Sequence, residues 1–208
     1  MTVKTSALIV ILALSGFLSA CDVTYQASDQ ADKNPTDGFP FRVRIDQTFS
    51  DVEREAIARA MDVWNNVTEP YRKDKTLLFL YDGPVADAFS GGDGNDDTIV
   101  AYNVIIDREQ RYWQKDAAAN HPDAIGLNSG NDIGIPTFLF TDEKKQSEDY
   151  GQTIEFIALH EFGHLLGIGH LDEAAIMYPY LTVILDENNQ PTLADADIRA
   201  FCELYECE

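Results

Sequence analysis

The chain begins with an apolar run from Ala7 to Ala20 and a polar stretch from Asp22 to Gly38, and only then settles into the alternations and periodicities of folded elements. Phe41-Arg42-Val43-Arg44-Ile45-Asp46 alternates apolar with charged residues. A period of two puts one face of a strand on a core, so this predicts the first strand of the domain. Ser50-Asp51-Val52-Glu53 then has the form of a capping box, and Ile57, Ala60, Met61 and Trp64 recur at helical spacing, which predicts a helix ending near Asn66. Thr76 to Tyr81, Thr98 to Ile106 and Pro136 to Thr141 are rich in β-branched or aromatic residues between turn formers and predict further strands. A second helix is predicted from Gln152 to Leu166, with Ile157, His160 and His164 on one face and Phe156, Leu159, Phe162 and Leu166 available for packing. A third is predicted from Asp195 to Tyr205, where Ile198, Phe201, Cys202 and Tyr205 follow helical spacing. The expected fold is α+β, a mixed sheet backed by helices.

The two leading segments read differently from the rest. Lys4 precedes the apolar run, which is too short to span a bilayer comfortably and suits the core of a signal peptide. Leu18-Ser19-Ala20-Cys21 matches the bacterial lipobox, in which the cysteine is acylated and becomes the new N-terminus. Residues 1–20 are therefore expected to be a lipoprotein signal peptide, the alternative being an ordinary secretory signal that happens to carry a cysteine, and acylated Cys21 to anchor the chain in a lipid bilayer of the bacterial cell envelope, facing the periplasm or the exterior. Residues 21–38 carry Asp29, Asp32, Lys33, Asn34, Pro35 and Asp37 with little to bury, and read as a flexible tether. Residues 39–208, about 170 in number, are enough for one compact domain with a substantial core, expected as a monomer.

Charge narrows the partners. The chain has 36 acidic and 15 basic residues, a formal net charge of −21, which disfavours binding to nucleic acid phosphates. The loop Gly91-Gly92-Asp93-Gly94-Asn95-Asp96-Asp97 offers oxygens that suit calcium, but it lacks EF-hand spacing and reads first as a plain acidic turn. With Cys21 assigned to lipid, Cys202 and Cys207 remain, favoured as a disulfide over two free thiols. Residues five apart in a continuous helix point away from one another, so a bond requires the helix to end between them.

The chemistry is concentrated in His160-Glu161-Phe162-Gly163-His164-Leu165-Leu166-Gly167-Ile168-Gly169-His170. Residues four apart share a helix face, so His160 and His164 can offer nitrogens to one ion. Glu161, beside the first ligand, can reach a water held at the metal and is the candidate general base. His170 would point to the far side of a straight helix. A third ligand there requires the chain to turn, which Gly167 permits because glycine accepts the left-handed conformation that ends helices. Three imidazoles leave one coordination position open, the arrangement of a catalytic zinc site. Five fixed positions holding three of the chain's four histidines make chance a poor explanation.

Ala175-Ile176-Met177-Tyr178-Pro179 follows His170, and at this point the chain resembles the metzincin metallopeptidases and, within them, the matrixins. The resemblance covers about residues 39–208 and is weak outside the zinc region. It implies a mostly parallel sheet of about five strands with three helices, a zinc cleft and a Met-turn in which Met177 forms an apolar floor beneath the ion. It also implies that Pro179, Tyr180 and Leu181 wall the pocket for a substrate side chain. Ala124-Ile125-Gly126-Leu127-Asn128 falls where the family's edge strand borders the cleft, so Leu127 and Asn128 become candidate contacts for an extended protein or peptide substrate. The implied activity is zinc-dependent endopeptidase. The alternative is a lipid-anchored binding or adhesion module on the same scaffold, which intact Glu161 argues against. His121 cannot reproduce the ligand set of the second, structural zinc of animal matrixins, so one Zn2+ is expected. Leu171 stands where many animal matrixins carry serine.

Overall fold

The computed structural model describes residues 8–9, 39–85, 98–103, 126–129 and 132–207. Cys21, the tether, the acidic loop at 91–97 and His121 lie outside the described residues, as does most of the apolar run at the start. The strands are β1 (Leu8–Ile9), β2 (Phe41–Asp46), β3 (Phe79–Val85), β4 (Thr98–Asn103), β5 (Leu127–Ser129), β6 (Asp132–Ile135) and β7 (Ile184–Leu185). The helices are α1 (Asp51–Thr68), a single turn α2 (Asp142–Lys145), α3 (Tyr150–Leu165) and α4 (Asp195–Tyr205). Five strands form one sheet in the order β3-β2-β4-β6-β5, in which every neighbouring pair is parallel except β5 with β6. β1 pairs antiparallel with β7, apart from that sheet. The α+β, mostly parallel architecture is the expected one. Among the described residues, no helix is long and apolar enough to cross a membrane.

The alternation in β2 decides which face of the sheet is covered. Val43 and Ile45 are fully buried, while Arg42 on the opposite face is exposed and pairs with Asp82 at 2.8 Å. Ile133 and Ile135 of β6 and Ala101 of β4 extend the buried face, and α1 and α3 pack against it and each other. Trp64 of α1 is wholly buried, and its indole N–H donates to Leu159 O of α3 at 2.9 Å, so the ring's polar atom is satisfied inside the core.

α1 starts where its capping box places it: Ser50 N donates to Glu53 Oε2 at 2.6 Å, and Glu53 N to Ser50 Oγ at 3.4 Å. It runs two residues past the expected end, to Thr68, and then tightens into a 3-10 turn over Glu69–Tyr71. Pro70 has no N–H to continue the α-helical ladder, which accounts for the change. At its C-terminal end, buried Asn65 accepts from Leu78 N at 2.7 Å and Phe79 N at 3.0 Å and donates to Phe79 O at 2.9 Å. One side chain thereby sets where β3 enters the sheet.

Two strand expectations are corrected. The run expected at Thr76 to Tyr81 begins pairing only at Phe79 and continues to Val85, through Gly83 and Pro84. β3 is an edge strand, where proline's missing donor faces no partner, and the pairing with β2 slips between Val43 and Ile45 to accommodate the irregularity. Pro136 to Thr141 is not a strand: Thr137–Leu139 form a 3-10 turn, and the strand is β6, which stops at Ile135. β6 lies between β4 and β5, where Pro136 could not donate to a ladder. β4 covers Thr98–Asn103 of the stretch read as Thr98 to Ile106, and the remaining three residues lie outside the described set.

At the far end, α4 closes with Glu206 in the left-handed region (φ 48°), its N–H donating to Cys202 O. The helix thus ends between Cys202 and Cys207, which are joined by a disulfide with their α-carbons 4.8 Å apart.

Candidate metal centre

α3 carries the first two histidines, and its end carries the chain around to the third. The helix stops in a Schellman motif. Gly167 N donates to His164 O at 2.9 Å, Ile168 N donates to Gly163 O at 3.0 Å, and Gly167 has φ +82°. Ile168, the residue after the glycine, is buried. The reversal brings His170 back beside its predecessors. Ring centroids are 4.7 Å apart for His160 and His164, 5.2 Å for His160 and His170, and 4.9 Å for His164 and His170. One nitrogen from each lies within 4.8 Å of the other two, near enough to share one metal ion.

Two backbone carbonyls set the ring orientations. His160 Nδ1 is 2.8 Å from Ile176 O, and His164 Nδ1 is 2.9 Å from Ile168 O. A carbonyl only accepts, so each Nδ1 carries the proton and each Nε2 is left with its lone pair toward the shared space, the orientation that fixes a metal-binding tautomer. Burial pushes His160 well below the ordinary histidine range, with the nearby ring of His164 adding to the effect. Burial, followed by the proximity of His170, brings His164 down to about 4. Both rings are neutral near pH 7, as ligands must be. The buried Nε2 of His160 has no hydrogen-bond partner, so the donor set fits a cation with imidazole affinity better than it fits an ordinary polar core.

The chain after His170 returns to pack beneath α3. Leu171 N donates to Met177 O at 2.8 Å, closing that segment on itself. Met177 is fully buried beneath α3, where Gly163 admits it: a Cβ built at 163 would lie 3.1 Å from Met177 Cε and 3.2 Å from Trp64 Cζ2, and closer still to Met177 Sδ. Asp197, the third residue of α4, is fully buried and accepts from Ile176 N at 2.9 Å, Met177 N at 3.0 Å and Ala194 N at 2.9 Å. Burial raises its pKa even though these three amides pull the other way. The Asp197 carboxylate thus holds the Met177 turn, and through Ile176 O it supports the ring of His160.

Glu161 is fully buried, one residue along α3 from His160. The carboxylate lies against the backbone of Gly126, which leads directly into β5. Leu127 and Asn128 belong to β5, the outermost strand, antiparallel to β6 through Leu127 with Gly134 and Asn128 with Ile133. Pro179 and Leu181 are half-buried and Tyr180 is exposed just beyond the Met177 turn, with the Tyr178 and Tyr180 rings 5.6 Å apart.

Three participants were not singled out from the sequence. Gly163 had a visible signal, an isolated glycine inside a helical pattern. Asp197 read only as a residue of the last helix, and nothing local connects Gly126 to Glu161.

An α+β domain with a mostly parallel sheet, a histidine-bearing helix that ends in a glycine turn, and a methionine turn beneath it is a metzincin-type scaffold. The matrixin family model matches residues 39–206, and the chain belongs to the matrixin family. Matrix metalloproteinase-18 of Xenopus laevis is 32% identical over 169 residues, 75% of this chain and 29% of that protein. Matrix metalloproteinase-27 of Tupaia belangeri is 29% identical over 163 residues, 77% of this chain and 27% of that protein. A shorter similarity, 39% over 59 residues, links 26% of this chain to the endoribonuclease YbeY of Staphylococcus carnosus. The chain spans less than a third of the length of either metalloproteinase.

Proposed function

We propose that this chain is a zinc endopeptidase in which His160, His164 and His170 hold one Zn2+. The observation that carries the reading is the convergence of three imidazole nitrogens, two of them on rings kept neutral by burial and oriented by backbone carbonyls, beside a buried carboxylate. Zinc, when bound, polarises a carbonyl and lowers the pKa of water near it. Glu161 takes the proton from the attacking water and returns it to the departing amine, so one carboxylate serves as base and then as acid. Met177 provides an apolar underside to the metal site without ligating. An extended substrate adds to the outer edge of β5 alongside Leu127 and Asn128, held by main-chain hydrogen bonds. Pro179, Tyr180 and Leu181 then border the pocket for one of its side chains.

The deciding experiment uses the zinc-loaded protein and a denatured protein or peptide library. Cleavage is expected, abolished by a chelator and restored by zinc. Glu161→Gln should keep one zinc and lose about 10²- to 10⁴-fold in turnover, whereas His164→Ala should lose the metal. Wild-type turnover in zinc-loaded Glu161→Gln would remove the base assignment, and failure of the wild type to cleave any peptide would favour a binding module instead. Anchoring through acylated Cys21 at the cell envelope is part of the same proposal. Its support is the lipobox alone, and unchanged partitioning of a Cys21→Ser variant into detergent would overturn it.

A further inference from the structure

Gly126 occupies the point where the edge strand meets the buried carboxylate. A Cβ built on it would lie 2.8 Å from Glu161 Cδ and 3.1 Å from Glu161 Cγ, with the nearer carboxylate oxygen closer still. Real side chains do not tolerate such distances to a buried group, so the main chain at 126 can sit this close only without a side chain. The backbone conformation is not the reason for glycine here. Gly83 and Gly167 are the described glycines with positive φ, and Gly126 is not one of them. An alanine here would find its space taken. Both partners are buried, so neither can escape the contact by turning into solvent.

We propose that Gly126 is a positioning residue for Glu161: its bare backbone sets the depth at which the carboxylate rests between α3 and the start of β5. This rests on the reading of Glu161 as the general base. Gly126 is followed immediately by Leu127, the first residue of the strand whose outer edge is proposed to receive the substrate. The same few atoms therefore set two things, the line along which an extended peptide lies and the distance from that line to the base. A side chain at 126 would drive the carboxylate off that distance, and a displacement of about 1 Å at a reacting group reduces turnover by up to about 100-fold.

Four proteins test this: the wild type, Gly126→Ala, Glu161→Ala and the double variant, each with zinc content measured and thermal midpoint recorded. For the wild type and Gly126→Ala, kcat and KM are also measured on an extended fluorogenic peptide, and zinc-loaded Glu161→Ala is assayed for turnover of the same peptide. Gly126→Ala should retain one zinc and keep KM within about twofold while kcat falls about 10- to 100-fold. Its midpoint should fall by about 2 to 10 °C in the wild-type background. In the Glu161→Ala background that fall should nearly vanish, because the atoms the new methyl would meet are gone. An equal loss of midpoint in both backgrounds, an unchanged kcat, or an effect confined to KM would each overturn the proposal. If Gly126→Ala does not fold, recovery of the fold in the double variant supports the contact, and its failure there refutes it. Peptide turnover by zinc-loaded Glu161→Ala defeats the base assignment instead, a result read separately from the thermal comparison.

Discussion

α1 and α3 lie side by side in the same core, yet they are stabilised in opposite ways. α1 is a helix by its own sequence: a reciprocal capping box at the start and one apolar face, with Ala56, Ile57, Ala60, Met61 and Trp64 buried and Val52 and Asn66 left in solvent. α3 has no side-chain cap, a glycine in its interior, and ten consecutive buried residues from Ile154 to Gly163, among them Glu155, His160 and Glu161. A helix buried on every side needs its polar groups satisfied from elsewhere. Glu155 is held by Arg59 at 2.8 Å, and Tyr150 donates to Glu53 Oε1 at 2.6 Å, so the carboxylate that caps α1 also anchors the start of α3. The helix with its own cap offers no candidate ligand, and the helix that depends on its neighbours carries two of the three converging histidines.

Substitutions can break or sharpen this contrast. The largest stability effect is expected from Asp197→Ala, far from α3 in sequence. It leaves three N–H groups without their buried acceptor, at about 1–3 kcal/mol for each that finds no water. Chemical denaturation should show a loss of about 3 kcal/mol or more, accompanied by weaker zinc binding. Asp197→Asn, which keeps one acceptor oxygen, should lose less, and equal stability of Asp197→Ala and wild type would contradict the anchoring role. Next is Gly163→Ala. In an exposed helix interior the change would gain up to about 1 kcal/mol, but here the methyl meets Met177 and Trp64, and a net loss of about 1–3 kcal/mol is expected. A stabilised Gly163→Ala protein would show that α3 follows local propensity after all.

The α1 counterparts should be smaller. Ser50→Ala removes half of a capping box and should cost about 1 kcal/mol without altering zinc affinity. Asn66→Ala, on the exposed side of the same helix, should leave the thermal midpoint unchanged or raise it slightly. A loss of metal binding in either would mean that α1 takes part in the site more directly than its contacts indicate.

The legibility of the chain follows the same division. α1 and α4 were readable because caps and periodicity act over four residues or fewer, and the histidine spacing was readable for the same reason. The strand placed at Pro136 to Thr141 went wrong because the missing proline donor matters only for a strand with neighbours on both sides, and β6 acquired that position through the topology. α1 runs two residues beyond Asn66 because nothing interrupts its backbone ladder before Pro70, whose missing donor lies outside the apolar periodicity that marked the helix.

Residue types and short spacings determined the chemistry offered here: three imidazoles, a carboxylate beside the first, a glycine able to reverse the chain, and a methionine after it. Tertiary structure decided the condition of those groups. Whether His160 is neutral and which of its nitrogens is protonated depend on burial and on Ile176 O, a carbonyl 16 residues away. The backbone that carries it is held in turn by Asp197 on another helix, which accepts from the N–H groups of Ile176 and Met177. Local bonding rules act within a turn of chain, whereas dielectric environment and close contact depend on segments that meet only in the folded domain.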